Sequence, residues 1–368
     1  MRALVKHELR NIWMMILYFV GCFGVGIWTF QSYLQGRYEQ YLWNGYDYDM
    51  SYNLLGIIRD MYPVYLVAMG LGLLVLLYIQ FRDNKSVGVS SFIKSLPYTN
   101  KQIYSVKLGC GILSFSVPFL LGGVGVLAVV NGAKDWLSVI ERVSPVGVEI
   151  ATQNDLGQMI LCGLLIYSIT LMCYVLGFWM QYVINLNVPS LIVSACSVMA
   201  PYFVMLTGVE YFKLLRGEAI AGGSLVYLDA FRDLLCIPAY LSNYKPGYNI
   251  IMGEHYNSGY IRGLGNIEWM GIKAIMFLLL VVILILAISV CNKNYHAEHQ
   301  EVFVSKKWAE RVLKIGVTVC SMSVGVFLIF GFFNAYGIQQ IIMMHLAMLI
   351  CGVIGYLMIR KICTIGQR

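Results

Sequence analysis

The side chains in this chain that could act as ligands, nucleophiles or proton carriers fall into a few small groups. Cys291, His296 and His299 are residue types that bind zinc. A metal site needs a complete ligand set held by outer hydrogen bonds. These three are loosely spaced beside charged residues, so they read as part of a solvated segment. His345 stands alone in the last apolar run and reads as a hydrogen-bonded structural residue rather than a proton relay. Asp229, Glu254 and His255 lie in a long mixed stretch, 213–271, and their spacing singles out no nucleophile–base or acid–base set. No G-x-x-x-x-G-K-[ST] occurs, so the chain has no P-loop for ATP, and no H-E-x-x-H or paired carboxylate falls in an apolar run. These absences point away from an enzyme. The chemistry that is left is recognition.

The segment with the residues for recognition is 82–107, RDNKSVGVSSFIKSLPYTNKQIYSVK. Val89, Phe92, Ile93 and Leu96 stand at i, i+3, i+4 and i+7, one apolar stripe on a two-turn helix. Pro97 ends that helix, because it lacks an N–H and disfavours helix at the residue before it. Thr99 and Gln102 have the spacing of a capping box and open a second helix through Ile103 and Tyr104. A helix as short as 86–96 is not stable alone in water and needs a surface to lie on, its own bundle or a partner's groove. Lys85, Lys94 and Lys101 supply charge toward an acidic partner or an anionic membrane.

The elements that must position this segment are hydrophobic. Of the 368 residues, 59% are apolar and 12% charged, and the mean hydropathy is +0.71. Soluble domains carry about 25% charged residues. Eight runs, 12–30, 62–81, 108–131, 159–184, 188–212, 272–291, 315–333 and 339–359, approach or exceed the roughly 20 residues needed to cross a bilayer as helix. Backbone polar groups have no water partners in lipid, so the runs are expected to be helices. Pro118 and Pro201 fall inside the third and fifth. The expectation is one all-α polytopic membrane protein with about eight transmembrane helices.

Charge sets the orientation. With the N-terminus inside, the inner segments 1–11, 82–107, 185–187, 292–314 and 360–368 hold 16 of the 26 Lys and Arg but 5 of the 19 Asp and Glu. Basic residues favour the cytoplasmic side, so both termini are expected there. No nucleic-acid motif competes for the basic excess. The ten cysteines are scattered through the spans, with Cys236 in an outer stretch, and read as small apolar side chains rather than a disulfide framework. The first apolar run continues past Phe19-Val20-Gly21-Cys22, against a cleaved signal or a lipidated Cys22.

Three further segments carry pattern. In 1–13, Leu4, Val5, Leu9, Ile12 and Trp13 fall on one helical face and Arg2, Lys6 and Arg10 on the other, the pattern of an interfacial helix. The first outer loop, 31–61, holds Tyr33, Tyr38, Tyr41, Tyr46, Tyr48 and Tyr52, which read as an interfacial aromatic belt. Tyr202, Thr207 and Glu210 near the outer end of the fifth run either mark the interface, the favoured reading, or line a solute path, since polar groups are sparse there. In 292–314, Glu301 to Ser305 alternates like a short strand before an amphipathic helix. Within 213–271, the stretch around Asp229, Arg232 and Asp233 is too charged to span and too apolar for a free loop, as expected of a helix on the outer leaflet or a re-entrant hairpin.

The basic N-terminal helix, the segment Gly88 to Tyr104 with its Ser95-Leu96-Pro97-Tyr98-Thr99-Asn100-Lys101-Gln102, and the long stretch between the fifth and sixth runs together resemble the permease subunits of ABC-2 type ABC transporters from Gram-positive bacteria. The resemblance covers residues 1–291 as a six-span core. Residues 292–368 add a cytoplasmic segment and two further transmembrane helices. Asn100 stands where such permeases often have Arg. The resemblance implies a multi-pass protein of the bacterial plasma membrane that exports a hydrophobic or amphipathic solute such as an antibiotic, peptide or lipid. It implies a second permease chain, identical or different, and separate ABC ATPase subunits that bind ATP and Mg, with no cofactor in this chain. It makes 86–96 the coupling helix, with Val89, Phe92, Ile93 and Leu96 as apolar contacts, Lys94 at the rim, and Pro97 and Lys101 at its exit. On the residues alone two other readings stay open: a non-transporting sensor or structural partner using the tyrosine-rich outer loops, and a membrane enzyme acting through 213–271.

The orientation is directly testable. A protease-cleavable tag on either terminus is expected to be protected in intact cells and cut in inside-out vesicles. Cutting in intact cells would reverse the assignment.

Overall fold

The computed structural model describes residues 2–44, 54–85, 97–135, 156–216, 270–293, 303–304, 307–332 and 338–364. Eight long helices account for nearly all of them. They are α1 Arg2–Asn44, α2 Leu54–Arg82, α3 Asn100–Gly132, α4 Leu156–Val183, α5 Asn187–Arg216, α6 Met270–Lys293, α7 Lys307–Phe332 and α8 Ile338–Cys363. Each contains a stretch long and apolar enough to cross a membrane, so the eight expected runs are the eight helices. α3 and α5 run through Pro118 and Pro201, and α2 through Pro63.

The helices are longer than the apolar runs. α1 has 43 residues, about 65 Å at 1.5 Å per residue and roughly twice a hydrocarbon core. Residues 2–13 continue into the first run without a break, as nothing between Arg2 and Phe19 is a helix breaker. The buried stripe of α1 is Glu8, Ile12, Met15 and Phe19, while Leu9 and Trp13 are exposed. Of the apolar face read from the sequence, Ile12 turns into the bundle beside Glu8, while Leu9 and Trp13 stay on the outside. Residues 31–44 and 54–61, expected as a loop, belong to α1 and α2. Tyr33 and Tyr38 are exposed on that extension. Tyr46, Tyr48 and Tyr52 lie outside the described residues.

α4 is the most enclosed helix: 56% of its apolar window is buried against 39% or less for the others. α1 lies along α2 and α3, α6 along α4 and α3, and α5 against α4 and α2. One apolar core joins α1 to α4 and α6, around Phe19, Leu76, Phe115, Tyr174, Phe178 and Ile288. α7 and α8 pair along their length and pack on α5, through a small cluster of Val326, Ile329 and Met344. Lipid tails are as apolar as leucine, so close backbone approach rather than the hydrophobic effect holds such pairs. At Gly325 a Cβ would lie 2.7 Å from the Ala347 carbonyl oxygen.

The connectivity alternates up and down, so the start of α1, the end of α2, the start of α3, the α4–α5 turn, the 303–304 pair, the start of α7 and the end of α8 share one end of the bundle. Contacts between them bear this out: Glu8 meets Lys107, Ile184 bridges Val304, and Phe303, Val304, Ala309, Ile359 and Cys363 form one cluster. Described parts of all five segments counted as inner lie at this N-terminal end, four of which carry Lys or Arg.

Gly325→Leu is expected to destabilise the α7–α8 pair by about 1–3 kcal/mol, read as a lower melting temperature in detergent. Gly316→Leu, at an exposed site with nothing within 4 Å of the added carbon, is expected to be near neutral.

Candidate functional site

The N-terminal end holds the densest buried polar structure among the described residues. It lies on both flanks of segment 86–96. That segment falls outside the described residues, and with it Val89, Phe92, Ile93, Lys94 and Leu96.

On the C-terminal flank, Pro97 is exposed and Thr99 is the N-cap of α3. Its Oγ1 accepts from Gln102 N at 3.3 Å, and Gln102 Oε1 accepts from Thr99 N at 3.0 Å. The capping box read from the sequence is therefore complete. Lys101 is exposed on the first turn, whereas Ile103 and Tyr104 turn into the bundle.

One turn further, Lys107 is buried. Its Nζ lies 3.0 Å from Glu8 Oε1, with both side chains almost fully enclosed. Nζ also donates to Gln80 O, and Gln80 Nε2 donates back to Lys107 O at 2.8 Å. Tyr174 OH donates to Gln80 Oε1 at 2.9 Å. Gly111 leaves the room for that tyrosine, since a Cβ there would fall 1.8 Å from the phenol oxygen. One chain of contacts thus ties α1, α3, α2 and α4.

On the N-terminal flank, α2 ends at Arg82 and a 3-10 turn, Asp83–Lys85, carries Lys85 inward. Its Nζ donates to Gln181 Oε1, to Ile184 O at 2.9 Å, to Ser190 Oγ at 3.1 Å and to Leu186 O at 3.3 Å. The expectation that Lys85 faces a partner alongside Lys94 and Lys101 is therefore corrected. The carbonyls at the end of α4 carry partial negative charge and hold the ammonium inside. Phe81 lies between the two lysines, its ring centroid 6.0 Å from Lys85 Nζ and 5.9 Å from Lys107 Nζ. Both distances are at the range of cation–π attraction.

The α4–α5 turn is gripped from its other side as well. Asn185 N donates to Phe303 O at 3.1 Å and Ile184 pairs antiparallel with Val304, a single bridge within the stretch read as a short strand. Trp179 stacks on Trp308 with centroids 6.3 Å apart.

The other candidates are not brought to this site. Cys291 is buried in the apolar core, His296 and His299 lie outside the described residues, and no three metal-binding side chains gather among the described ones. His345 sits at the opposite end, donating from Nδ1 to Ile341 O at 2.8 Å and accepting from Tyr211 OH at Nε2 at 2.7 Å. Both nitrogens are engaged, as a structural histidine requires. Thr207 Oγ1 donates to Phe203 O and Val204 O of its own helix. The side chain of Glu210, and Asp229, Glu254 and His255, lie outside the described residues.

Sequence reasoning counted Glu8 and Lys107 only toward topology. The missed signal was Glu8 itself: it is the one carboxylate before Glu39, on a face shared with Ile12 and Phe19. A carboxylate on a buried face needs a cation.

No protein family, curated protein or solved structure matches the chain.

Lys107→Met is expected to destabilise the protein by about 3–5 kcal/mol, because it leaves Glu8 buried without its cation. The double variant Glu8→Leu/Lys107→Met is expected to recover most of the loss. Denaturation in detergent checks both, and additive losses would show that the two residues are not coupled.

Proposed function

We propose that this chain is the transmembrane permease subunit of an ATP-driven ABC exporter of the ABC-2 type, with the N-terminal end of its bundle in the bacterial cytoplasm. Eight apolar helices support a membrane-embedded protein, and the concentration of Lys and Arg at one end supports the orientation. The observation that carries the reading is the fixing of both flanks of 86–96. Lys85 is held by the α4–α5 turn, and Thr99 and Lys107 fix the start of α3. A segment held this way passes a push on to five helices, α1 to α5, as a coupling helix must.

On this reading 86–96 docks in a cleft of a separate ABC ATPase that supplies ATP and Mg. Val89, Phe92, Ile93 and Leu96 make the apolar contact, Lys94 lies at the rim, and exposed Pro97 and Lys101 border the exit. ATP binding shifts the inward–outward equilibrium by the difference in its affinity for the two states. The first turns of α1 lie at the headgroup level, residues 1–291 form the core, and 292–368 are an addition to it. A second permease chain completes the path for a hydrophobic or amphipathic solute.

Phe92→Asp and Leu96→Asp are expected to leave membrane insertion unchanged and to reduce solute-stimulated ATP hydrolysis by the co-purified ATPase at least tenfold. Normal stimulation in both variants would remove the coupling assignment. The experiment is run with the ATPase and permease purified together in lipid.

A further inference from the structure

The oxygens around Lys85 have the arrangement of a cation site. Gln181 Oε1, Ile184 O, Leu186 O and Ser190 Oγ converge on one point, which the ammonium occupies. Gln181 is 1% exposed and Ser190 is fully enclosed, so these are built groups rather than surface ones. Other bonds hold the cradle in place. Ser190 Oγ bonds Asn187 O at 2.6 Å and lies 2.7 Å from Gln181 Oε1, Asn185 N bonds Phe303 O, and Asn187 Nδ2 reaches Tyr78 O at 3.2 Å. None of these needs Lys85.

We propose that the α4–α5 turn is a preformed seat for a primary ammonium, and that Lys85 is its tethered occupant, a positioning residue that pins the start of 86–96 to α4 and α5. The acceptors are neutral oxygens at the end of a helix, where the backbone favours positive charge. Three of the four contacts are 2.9–3.3 Å long, the length of N–H···O bonds. Calcium takes all its oxygens at about 2.3–2.6 Å and magnesium at about 2.0–2.1 Å; only the Gln181 oxygen, at 2.5 Å, comes that close, and the other three lie farther out. An ammonium fits these lengths, its three donors serving four oxygens with one bond shared. The link is polar and confined to one side chain, so it can open and re-form while the turn keeps its shape. This inference stands on the cradle alone and does not require the coupling role of 86–96.

The test is chemical rescue of Lys85→Ala in the full chain in detergent. n-Propylammonium replaces the deleted carbons and nitrogen atom for atom. n-Propanol has similar size without charge. The expected result is a melting temperature lowered by about 5 °C, with at least half of the loss restored by propylammonium in a saturable way and none by propanol. The double variant Lys85→Ala/Ser190→Ala is expected to lose most of that rescue. Equal rescue by the alcohol, no rescue by the amine, or an unchanged melting temperature would overturn the proposal. If Lys85→Ala does not fold, the unaltered chain decides. Acylation of Lys85 by an amine-reactive ester, mapped by mass spectrometry, is expected to be at least tenfold slower than that of exposed Lys6 and Lys101, and equal rates would overturn the seat.

Discussion

A carboxylate and an ammonium buried together among four helices, Glu8 and Lys107, set the geometry of this bundle. Desolvating two charges costs several kcal/mol each, and their attraction repays that only with good geometry and further hydrogen bonds. Lys107 obtains one from the Gln80 carbonyl, while the second oxygen of Glu8 has no partner among the described residues. The pair is therefore a weak source of net stability and a strong source of register. α1 can slide along α3 only by separating the charges. Gln80 and Lys107 exchange two bonds between α2 and α3, which fixes those helices in the same way. Apolar side chains in lipid do not select one sliding position so sharply.

Much of the fold was legible because length and hydropathy carry it. Eight runs became eight helices, and the capping box at Thr99 and Gln102 was readable from local chemistry. What the sequence hid are contacts between distant segments. Nothing local says that Lys85 turns toward Gln181 and Ser190, about a hundred positions away, or that Phe303 and Val304 reach the α4–α5 turn. The inward turn of Glu8 on α1 was hidden in the same way, because its partner Lys107 lies on α3. Helix ends were underestimated because hydropathy finds the stretch suited to lipid, while α1 continues through residues suited to water.

The polar links are unevenly distributed, and this bears on how the bundle can move. α1, α2, α3 and α4 are tied at the N-terminal end through Glu8, Lys107, Gln80 and Tyr174. α6 lies on α4 with Ala274, Phe277, Val281 and Ile288 in the shared apolar core, and Lys273 is buried beside them near its start. The α7–α8 pair meets α5 through its own small cluster and the Tyr211–His345 contact at the opposite end.

A push on 86–96 therefore cannot spread α2 and α3 apart first, because Gln80 and Lys107 hold them as a pair. It would carry α1 with them through Glu8, and load α4 and α5 through Lys85. In the transport reading, this makes α1 to α4 the stiff arm and assigns the change of shape to the helices around it. On that reading a stiff arm would need fixed register where force enters, and a buried ion pair supplies register where apolar packing supplies only adhesion.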